Sequence, residues 1–473
     1  WSATQVEKNG SHYEVLWTHP TGKKYDVWKV DTSGNFVSSI KAKLWEDEEK
    51  FNQDFNLDGD MGLQLVEATG NAYLKHGDNT YNGAPQYYIV DDTNTNIISS
   101  HIGLTNGGPK GPTSYAGWSA TQVEKNGSHY EILWINPTGK KYDVWKVDEF
   151  GNFVSSIKAK LWEDEEKFNQ DFNGDGNTGG DGDTGLVTVE ATGNAYLKHG
   201  DNTYNGAPQY YIVDGSNAPI GLTNGGPKGP TSYTGWSATQ VEKNGDHYEV
   251  LWTHPTGNKY DVWKVNTSGN FVSKIKAMLW EDEVKFGIDL NGDGDTGLVT
   301  VPTIGSVHLK HGDNTYNGAP QYYIVDGIKA PIGLTNGGQK GPTSYAGWYV
   351  TQVEKNGDHY EIVWNNPTDK KYDVWKVDEF GNFVSSIKAK LWEDEEKFNQ
   401  DFNLDGDMGL VSVEDNGNVR LKHADNTISG ASQYYILDHT DDIVGKVYIG
   451  LTNGGPKGPT SYTGWSATQV EKN

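Results

Sequence analysis

The sequence predicts a mainly β protein made of four tandem antiparallel units of about 117 residues, each with one short helix and a helix–loop calcium site. The phrase Trp-Ser-Ala-Thr-Gln-Val-Glu-Lys-Asn starts at Trp1, Trp118, Trp236 and Trp465, and a variant of it starts at Trp348. A fixed period of this kind is the signature of a repeat architecture. The chain also contains 59 Gly, 17 Trp and 27 Tyr, a composition typical of many short strands joined by tight turns.

The first half of each unit begins with a predicted β-hairpin. In the first copy, residues 3–8 and 11–18 flank Asn9-Gly10, the dipeptide that best supports a two-residue hairpin turn. In the second of these segments apolar residues alternate with polar ones such as Glu14, which is the period of a strand. The pattern therefore predicts two antiparallel strands.

The rest of the unit is predicted to contain further short strands and a single helix. Residues 24–31 are apolar on both faces, as expected of a buried strand, and a turn leads from them to a strand at residues 36–38. The one helical candidate covers about residues 39–51. The second half, residues 63–117, alternates short apolar runs with turns rich in Gly, Pro and Asn.

Charge and composition exclude several kinds of partner. The chain carries 39 basic and 64 acidic residues, a formal net charge of -25. Such a field repels phosphate backbones and anionic lipids, so we expect no nucleic-acid partner. No apolar stretch approaches the roughly 18 residues of a membrane span, so we expect no membrane insertion. The chain has no Cys, and its stability must come from something other than disulfides.

The most specific chemical signal is an acidic loop directly after the predicted helix. Side-chain oxygens at positions 1, 3, 5 and 7, with Gly at position 6, form the first half of an EF-hand-type calcium loop. Carboxylates and amides suit a hard cation, and no Cys or His is nearby for zinc or copper. A solvated acidic turn is the alternative, because Asp, Asn and Gly dominate turns. The predicted Ca²⁺ ligands are Asp54, Asn56, Asp58 and Asp60; Asp171, Asn173, Asp175, Asn177, Asp181 and Asp183; Asp289, Asn291, Asp293 and Asp295; and Asp401, Asn403, Asp405 and Asp407.

The loop departs from a complete EF-hand at position 12, where a bidentate Glu is expected. The residues found there are Leu65, Thr300 and Ser412. Two positions later the first, second and fourth repeats have Glu67, Glu190 and Glu414, but the third has Pro302. A ligand from the preceding helix is the other option, at the equivalent positions Glu48, Glu165, Glu283 and Glu395. Water could fill the remaining positions.

Two phrases carry a resemblance to a known family. Residues 25–39 read Tyr-Asp-Val-Trp-Lys-Val-Asp-x-x-Gly-Asn-Phe-Val-Ser-Ser, and residues 51–60 read Phe-Asn-Gln-Asp-Phe-Asn-x-Asp-Gly-Asp. They resemble the tryptophan-rich C-terminal repeat family named after Synechocystis, found in large secreted bacterial proteins, often beside calcium-binding repeats. The resemblance implies secretion, an extracellular or cell-surface location and calcium binding at the acidic positions. It supplies no catalytic residues.

The resemblance also implies domain boundaries, because a unit of that family runs from the segment after one acidic loop to the end of the next. On that basis residues 1–62 are the C-terminal half of a unit. Residues 63–185, 186–297 and 298–409 are whole units, and residues 410–473 are the N-terminal half of another. The second loop is longer than the others, with extra residues at 177–182.

Two function classes remain open, and neither is enzymatic. The His residues that recur in each copy have no nucleophile or carboxylate partner at a recognisable spacing. The first class is a structural protein of a filament, matrix or adhesin stalk. The second is a multivalent carbohydrate-binding module that stacks Trp rings on surface glycans. Aromatic residues at alternating strand positions are more often core, as expected for Trp17 and Trp28, whereas Trp1 and Trp45 are the candidates for exposure.

We also expect copies of the chain to associate head to tail. Residues 465–472 are predicted to form a strand, and no segment follows them to supply the partner that residues 11–18 give the first copy. A longer covalent array would satisfy this strand. Strand addition between separate subunits would do so as well, and it propagates into a filament.

Overall fold

A computed structural model of the chain describes residues 1–19, 21, 24–91, 101–174, 186–204, 206–215, 218–303, 307–416, 419–428, 430–438 and 447–471. The chain divides into two compact parts, called below the first unit (residues 1–252 and 263–273) and the second unit (residues 253–262 and 274–473). Each of the four sequence periods is called a repeat. Within the described ranges, eight antiparallel four-stranded sheets and four short α-helices repeat in the same order. The predicted fold, mainly β with one helix per repeat, is confirmed.

In every repeat, four strands and a helix precede four further strands, and each set of four forms one sheet in sequence order. The first repeat contains β1 (Ser2–Asn9), β2 (His12–His19), β3 (Lys24–Val30), β4 (Phe36–Ser39), α1 (Leu44–Phe51), β5 (Gln64–Glu67), β6 (Tyr73–Asp78), β7 (Pro85–Val90) and β8 (His101–Gly103). The second contains β9 (Ser119–Asn126), β10 (His129–Asn136), β11 (Lys141–Val147), β12 (Phe153–Ser156), α2 (Leu161–Phe168), β13 (Val187–Glu190), β14 (Tyr196–Gly200), β15 (Gln209–Val213) and β16 (Ile220–Gly221).

The last two repeats follow the same order. The third contains β17 (Ser237–Asn244), β18 (His247–His254), β19 (Lys259–Asn266), β20 (Phe271–Lys274), α3 (Leu279–Phe286), β21 (Val299–Val301), β22 (His308–Gly312), β23 (Gln321–Val325) and β24 (Ile332–Gly333). The fourth contains β25 (Tyr349–Asn356), β26 (His359–Asn366), β27 (Lys371–Val377), β28 (Phe383–Ser386), α4 (Leu391–Phe398), β29 (Val411–Glu414), β30 (Val419–Ala424), β31 (Gln433–Asp438) and β32 (Val447–Gly450).

The helix is shorter than predicted, because α1 begins at Leu44 and not at residue 39. The residues before it are extended. The Ile40 N–H donates to the Val27 carbonyl at 2.8 Å and so prolongs the pairing of β4 with β3. The Asp47 carboxylate accepts the Ala42 N–H at 2.9 Å. These bonds commit the backbone to an extended path, so the first helical turn starts only after them.

The main core lies between sheets from successive halves of the repeat. In the first unit, Leu74 from the β5–β8 sheet joins one cluster with Ile132 and Trp134 of the β9–β12 sheet, all at most 1% exposed. The Trp134 and Trp145 rings pack with their centroids 4.8 Å apart. In the second unit the β21–β24 and β25–β28 sheets share an equivalent cluster. This sheet-on-sheet packing buries twelve apolar side chains in each of the two clusters.

The predicted core role of the Trp pair on the central strands is confirmed in these sheets, where Trp134 is 1% and Trp145 is 8% exposed. Their counterparts in the first repeat, Trp17 and Trp28, stack in the same way, with centroids 4.7 Å apart. They are only half-buried. Among the described residues, the β1–β4 sheet has no second sheet over this face.

The expectation that Trp45 is exposed is wrong, whereas Trp1 is 59% exposed as expected. Trp45 is 3% exposed and packs edge-on against Tyr88 of β7, with ring centroids 5.3 Å apart. The neighbouring Leu44 packs instead with the β1–β4 residues on the other side of the helix. Because α1 contacts apolar side chains on two sides, Trp45 is buried although it is only the second residue after the helix N-cap, Lys43.

The polar face of the hairpin is also buried, because the helix covers it. Glu131 on β10 is 3% exposed and lies 2.9 Å from the Lys167 ammonium of α2. The same carboxylate accepts a hydrogen bond from the Asn126 amide at 2.9 Å and contacts a ring nitrogen of His129 at 3.3 Å. This network ties the hairpin turn to the helix, and Glu14 and Lys50 repeat the ion pair in the first copy.

We expect Glu131 to make the first unit sensitive to acid. Burial alone raises the pKa of Glu131, but hydrogen bonds from Lys167 and Asn126 outweigh it and hold the pKa below its ordinary value of 4.5. A lowered pKa stabilises the fold above pH 4.5 and loses that contribution as the pH falls through the folded value. The unfolding free energy of Glu131→Gln should therefore fall less steeply than that of the wild type between about pH 5 and pH 3.

Urea denaturation across this pH range measures the difference, with Glu149→Gln as the control because Glu149 is exposed. Equal slopes for the wild type and Glu131→Gln would contradict the role assigned to this network.

The segment expected to form a final strand does not do so, since residues 466–471 lie outside any strand. Only Trp465 makes an isolated bridge, to Tyr462.

None of the helices that the structure describes is long and apolar enough to span a bilayer.

Candidate calcium-binding loops

Each acidic loop is folded around the carboxylate at its first position. In the first loop, which follows α1, Asp54 accepts the Leu57 N–H at 2.6 Å and the Gly59 N–H at 2.9 Å. Asp58 accepts the Asp60 N–H at 2.8 Å. These bonds close the loop into a tight coil that holds the oxygen-bearing side chains at alternate positions together.

The glycine predicted at position 6 is required by the backbone. Gly59, Gly294 and Gly406 have φ angles of 98°, 97° and 93°, which L side chains rarely adopt. Position 4 is also left-handed, and there the chain tolerates Leu57 and Leu404 with φ of 59° and 62°. The sharp turn of the predicted loop is therefore present in the first, third and fourth copies.

The structure adds an acidic residue that sequence reasoning missed. Asp78, at the end of β6, receives a 2.9 Å hydrogen bond from the Asn56 amide, and the same amide donates to Asp58 at 2.8 Å. The Asn56 amide thereby bridges the Asp58 and Asp78 carboxylates. The next sheet thus delivers a further carboxylate to the loop.

This arrangement recurs in every copy. The amides of Asn173, Asn291 and Asn403 donate to Asp201, Asp313 and Asp425 at 3.2, 2.8 and 3.1 Å. An available signal was the constant Asp-Asn that follows Lys-His-Gly or Lys-His-Ala in each copy. It sits 22 residues after the loop Asn, or 28 in the long second copy. Of the second loop, Asp175, Asn177, Asp181 and Asp183 lie outside the described residues.

The helix glutamate proposed as a ligand holds the loop backbone in place. Glu48 accepts the Phe55 N–H at 2.9 Å. In the third copy, one Glu283 oxygen accepts the Leu290 N–H and the other accepts the Gly297 N–H, both at 3.1 Å. With both oxygens bonded to backbone groups, this glutamate fastens the loop to the helix.

The residues near position 12 lie away from the loop. Leu65 is on β5 and is 59% exposed. Glu67, two residues later, caps the turn after β5 by accepting hydrogen bonds from Thr69 and Gly70. Glu67 therefore has a structural role at this turn, and the acidic residue that reaches the loop from the following sheet is Asp78.

The electrostatics of the site disfavour full ionisation. Burial raises the pKa of Asp78 to about 6, and the nearby charges of Asp58 and Asp60 add to the rise. Burial likewise raises the pKa of Glu48 to about 7, with Asp58 and Asp54 contributing repulsion. A bound dication would offset this repulsion and favour the ionised forms.

The donor set fits a hard cation, since it consists of carboxylate and amide oxygens. In the part of the chain that the structure describes, no three or more His, Asp or Glu side chains are arranged so that they could hold a metal ion. The loop carboxylates instead accept backbone N–H groups and the Asn amide. The first, third and fourth loops thus place the predicted side chains along one coil, and Asp78, Asp313 and Asp425 reach it through the loop Asn amide.

The model of the tryptophan-rich Synechocystis species C-terminal domain family matches residues 1–62, 86–179, 203–297 and 315–409, well over half of the chain. The chain belongs to this family. The matches to the tryptophan-rich Synechocystis-type repeat contain every Trp-rich sheet and the helix after it. Three of the matches end at the glycine that closes an acidic loop, Gly62, Gly297 and Gly409. The family resemblance found in the sequence is confirmed.

Other comparisons add little to the family assignment. No curated protein matches the chain. Among solved structures, dipeptidyl peptidase 4 of Porphyromonas gingivalis is 9% identical with a TM-score of 0.17, over 92% of this chain and 57% of that one. The β-propeller domain of the Trilobed protease from Pyrococcus furiosus is 9% identical with a TM-score of 0.16, over 96% and 99%. This chain spans little more than half of the first peptidase, and neither score carries an argument about fold or activity.

Proposed function

We propose that the chain is an extracellular, calcium-binding structural repeat protein in which Ca²⁺ stabilises each junction between a helix, its loop and the following sheet. The observation that carries the proposal is the meeting of Asp78 and its copies with the acidic loop. A cation at this point would link the end of α1 to β6 and offset the repulsion between carboxylates. The role is structural and not enzymatic.

A secreted or cell-surface location fits this chemistry. Calcium modules of the extracellular space bind at about 10⁻⁴ to 10⁻³ M, and affinity depends on the number of charged ligands and on the rigidity of the site. The loops lack the bidentate glutamate at position 12, which favours weak binding of this kind. A protein without Cys also gains stability in this compartment from an ion that binds only the folded form.

Removing one of the added carboxylates should weaken one loop alone. Asp313→Asn keeps the side-chain shape but removes a charge next to Asn291 and Asp293. Calcium titration by calorimetry should show one site weakened by roughly ten- to a hundredfold and the others unchanged. Asp358→Asn is the matched control, because Asp358 is exposed at a hairpin turn and belongs to none of the acidic loops. Identical titrations of Asp313→Asn and the wild type would count against the site.

Copies of the chain are proposed to associate through uncovered sheet faces. Val123 of β9 is fully buried by the neighbouring sheet, whereas its counterpart Val6 on β1 is 57% exposed. On the complementary side, Leu104 is fully buried and its counterpart Leu451 is 37% exposed. The face-to-face packing of the β5–β8 and β9–β12 sheets in the first unit therefore supports the same packing between copies. The β29–β32 sheet of one molecule would pack on the β1–β4 sheet of the next.

We expect Val6→Asp to reduce self-association, since it places a charge in the apolar face. Sedimentation velocity over a concentration series in calcium measures this. Val37→Asp is the control, because Val37 and its counterpart Val154 are both about half exposed, at 53% and 54%. A wild-type chain that stays monomeric at every concentration would rule out this mode of association.

A further inference from the structure

A small aromatic cavity lies beside the Trp pair of the first unit. It has a volume of about 140 Å³ and is lined by Tyr115, Trp118, Trp134, Asp143 and Trp145. The Tyr115 ring meets the two core indoles nearly edge-on, with centroids 5.6 and 5.9 Å away. Trp118 is only half-buried, so one aromatic wall of the cavity is accessible.

The second unit contains the same cavity at the equivalent positions. There Tyr345, Trp348, Trp364, Asp373 and Trp375 enclose about 240 Å³. Tyr345 again meets both core indoles nearly edge-on, at 5.4 and 6.1 Å. The cavity recurs with the same five side-chain types, so it is a property of the repeat.

Each cavity contains an oriented acceptor, and one indole in its wall has a buried N–H without a partner among the described residues. The Asp143 carboxylate is fixed by the Trp145 indole N–H at 3.1 Å, the Val144 N–H at 3.0 Å and the Ser156 hydroxyl. Trp134 is 1% exposed, and its indole N–H has no hydrogen-bond partner among the described residues. The Trp364 indole N–H of the second unit likewise has no hydrogen-bond partner among the described residues. Because these nitrogens are themselves buried, the Asp carboxylate is the polar group that a ligand in the cavity would meet.

We propose that these two cavities each bind one pyranose ring of a neutral sugar. The C–H face of a pyranose packs on indole rings, and its hydroxyl groups donate to a carboxylate such as Asp143 or Asp373. A quaternary ammonium group would suit the rings and the Asp through cation–π attraction. In the second unit, however, the ammonium groups of Lys370 and Lys388 line a groove that shares Trp348 and Asp373 with the cavity, and they repel such a cation.

The second unit also provides room for further sugar rings. Trp348 and Asp373 also line a groove of about 940 Å³, together with polar residues such as Thr368, Lys370 and Lys388. Hydroxyl and ammonium donors along a groove suit the hydroxyl groups of an extended chain. The inferred ligand is therefore an oligosaccharide with one ring in the aromatic cavity. The calcium loops take no part in this site.

The third repeat contains a natural substitution next to the equivalent carboxylate, Asp261. In the third repeat Lys274 stands where Ser156 and Ser386 stand in the second and fourth, and its ammonium lies 2.5 Å from Asp261. An ion pair occupies the acceptor that a sugar hydroxyl would use. Introducing this lysine into the other copies therefore blocks the carboxylate without removing an aromatic ring.

Saturation-transfer difference NMR of the 473-residue chain in calcium tests the proposal. The probes are the methyl glycosides of glucose, galactose, mannose and N-acetylglucosamine, with tetramethylammonium as the cationic alternative. We expect signal from at least one pyranoside. The signal should fall at least fivefold in the double variants Ser156→Lys/Ser386→Lys and Trp118→Ala/Trp348→Ala, and stay unchanged in Trp1→Ala.

Each other outcome overturns the proposal. Signal from tetramethylammonium alone assigns the cavities to cations, and no signal from any pyranoside removes the site. Pyranoside signal that persists in Ser156→Lys/Ser386→Lys places binding elsewhere. Thermal melting checks that the variants fold. If the Trp118→Ala/Trp348→Ala variant does not, the lysine variant decides alone, since Lys274 shows that the repeat accommodates this side chain. Calcium binding, measured separately, is unaffected by either result.

Discussion

The melting temperature of the chain should fall by about 10 °C or more in excess chelator and recover when calcium is restored. A ligand present at about 100 times its dissociation constant stabilises the folded state by about 2.7 kcal/mol per site. In a domain of roughly 100 residues, 1 kcal/mol shifts the melting temperature by about 4–8 °C. The physical source is the repulsion between the Asp58 and Asp78 carboxylates, which the Asn56 amide bridges, when both are ionised.

The control for this experiment is a variant that carries Asp→Asn at Asp78, Asp201, Asp313 and Asp425. Its melting temperature should depend much less on calcium, because the carboxylate from the following sheet is missing at every loop. Zinc should not replace calcium, since the loops offer only oxygen donors. A melting temperature that is the same in chelator and in calcium would contradict a stabilising role of the ion.

Gly341→Ala should destabilise the second unit by about 3 kcal/mol or more, at the upper end of the cost of overpacking. A Cβ atom at this position would lie 1.7 Å from the Pro320 carbonyl oxygen, a distance that requires the backbone to move. The backbone cannot move cheaply. The Lys340 carbonyl accepts the Tyr322 N–H at 2.8 Å, and the Gly341 N–H donates to Ser344 at 2.8 Å. The same clash recurs at Gly111, Gly229 and Gly458, at 1.7, 1.6 and 1.5 Å.

Gly337→Ala is the matched control four residues away. Gly337 has a φ of 62°, and no atom lies within 4 Å of the point that a Cβ would occupy there, so only backbone strain of about 1–2 kcal/mol is expected. Urea denaturation followed by Trp fluorescence measures both variants. If Gly341→Ala costs no more than Gly337→Ala, the close approach of the two backbone segments is not what fixes this turn.

Much of the local structure could be predicted because it depends on short-range patterns. The Asn9-Gly10 hairpin, the alternation along β2 and the glycine at position 6 of each loop follow from backbone sterics and side-chain period. Trp45 and Glu14 were harder to place. Trp45 is buried because its helix packs against two sheets. Glu14 is buried because the same helix covers a strand face that the alternation assigns to solvent.

The candidate site divides in the same way. Sequence alone identified the repeat, the family and the loop residues from Asp54 to Asp60, because they are contiguous and recur at a fixed interval. Only the tertiary structure brought Asp78 to the loop and turned Glu48 towards the loop backbone. These contacts join residues from a helix, a loop and a strand of the next sheet. Their pairing depends on how the sheets pack around the helix, and no local pattern of residues encodes that packing.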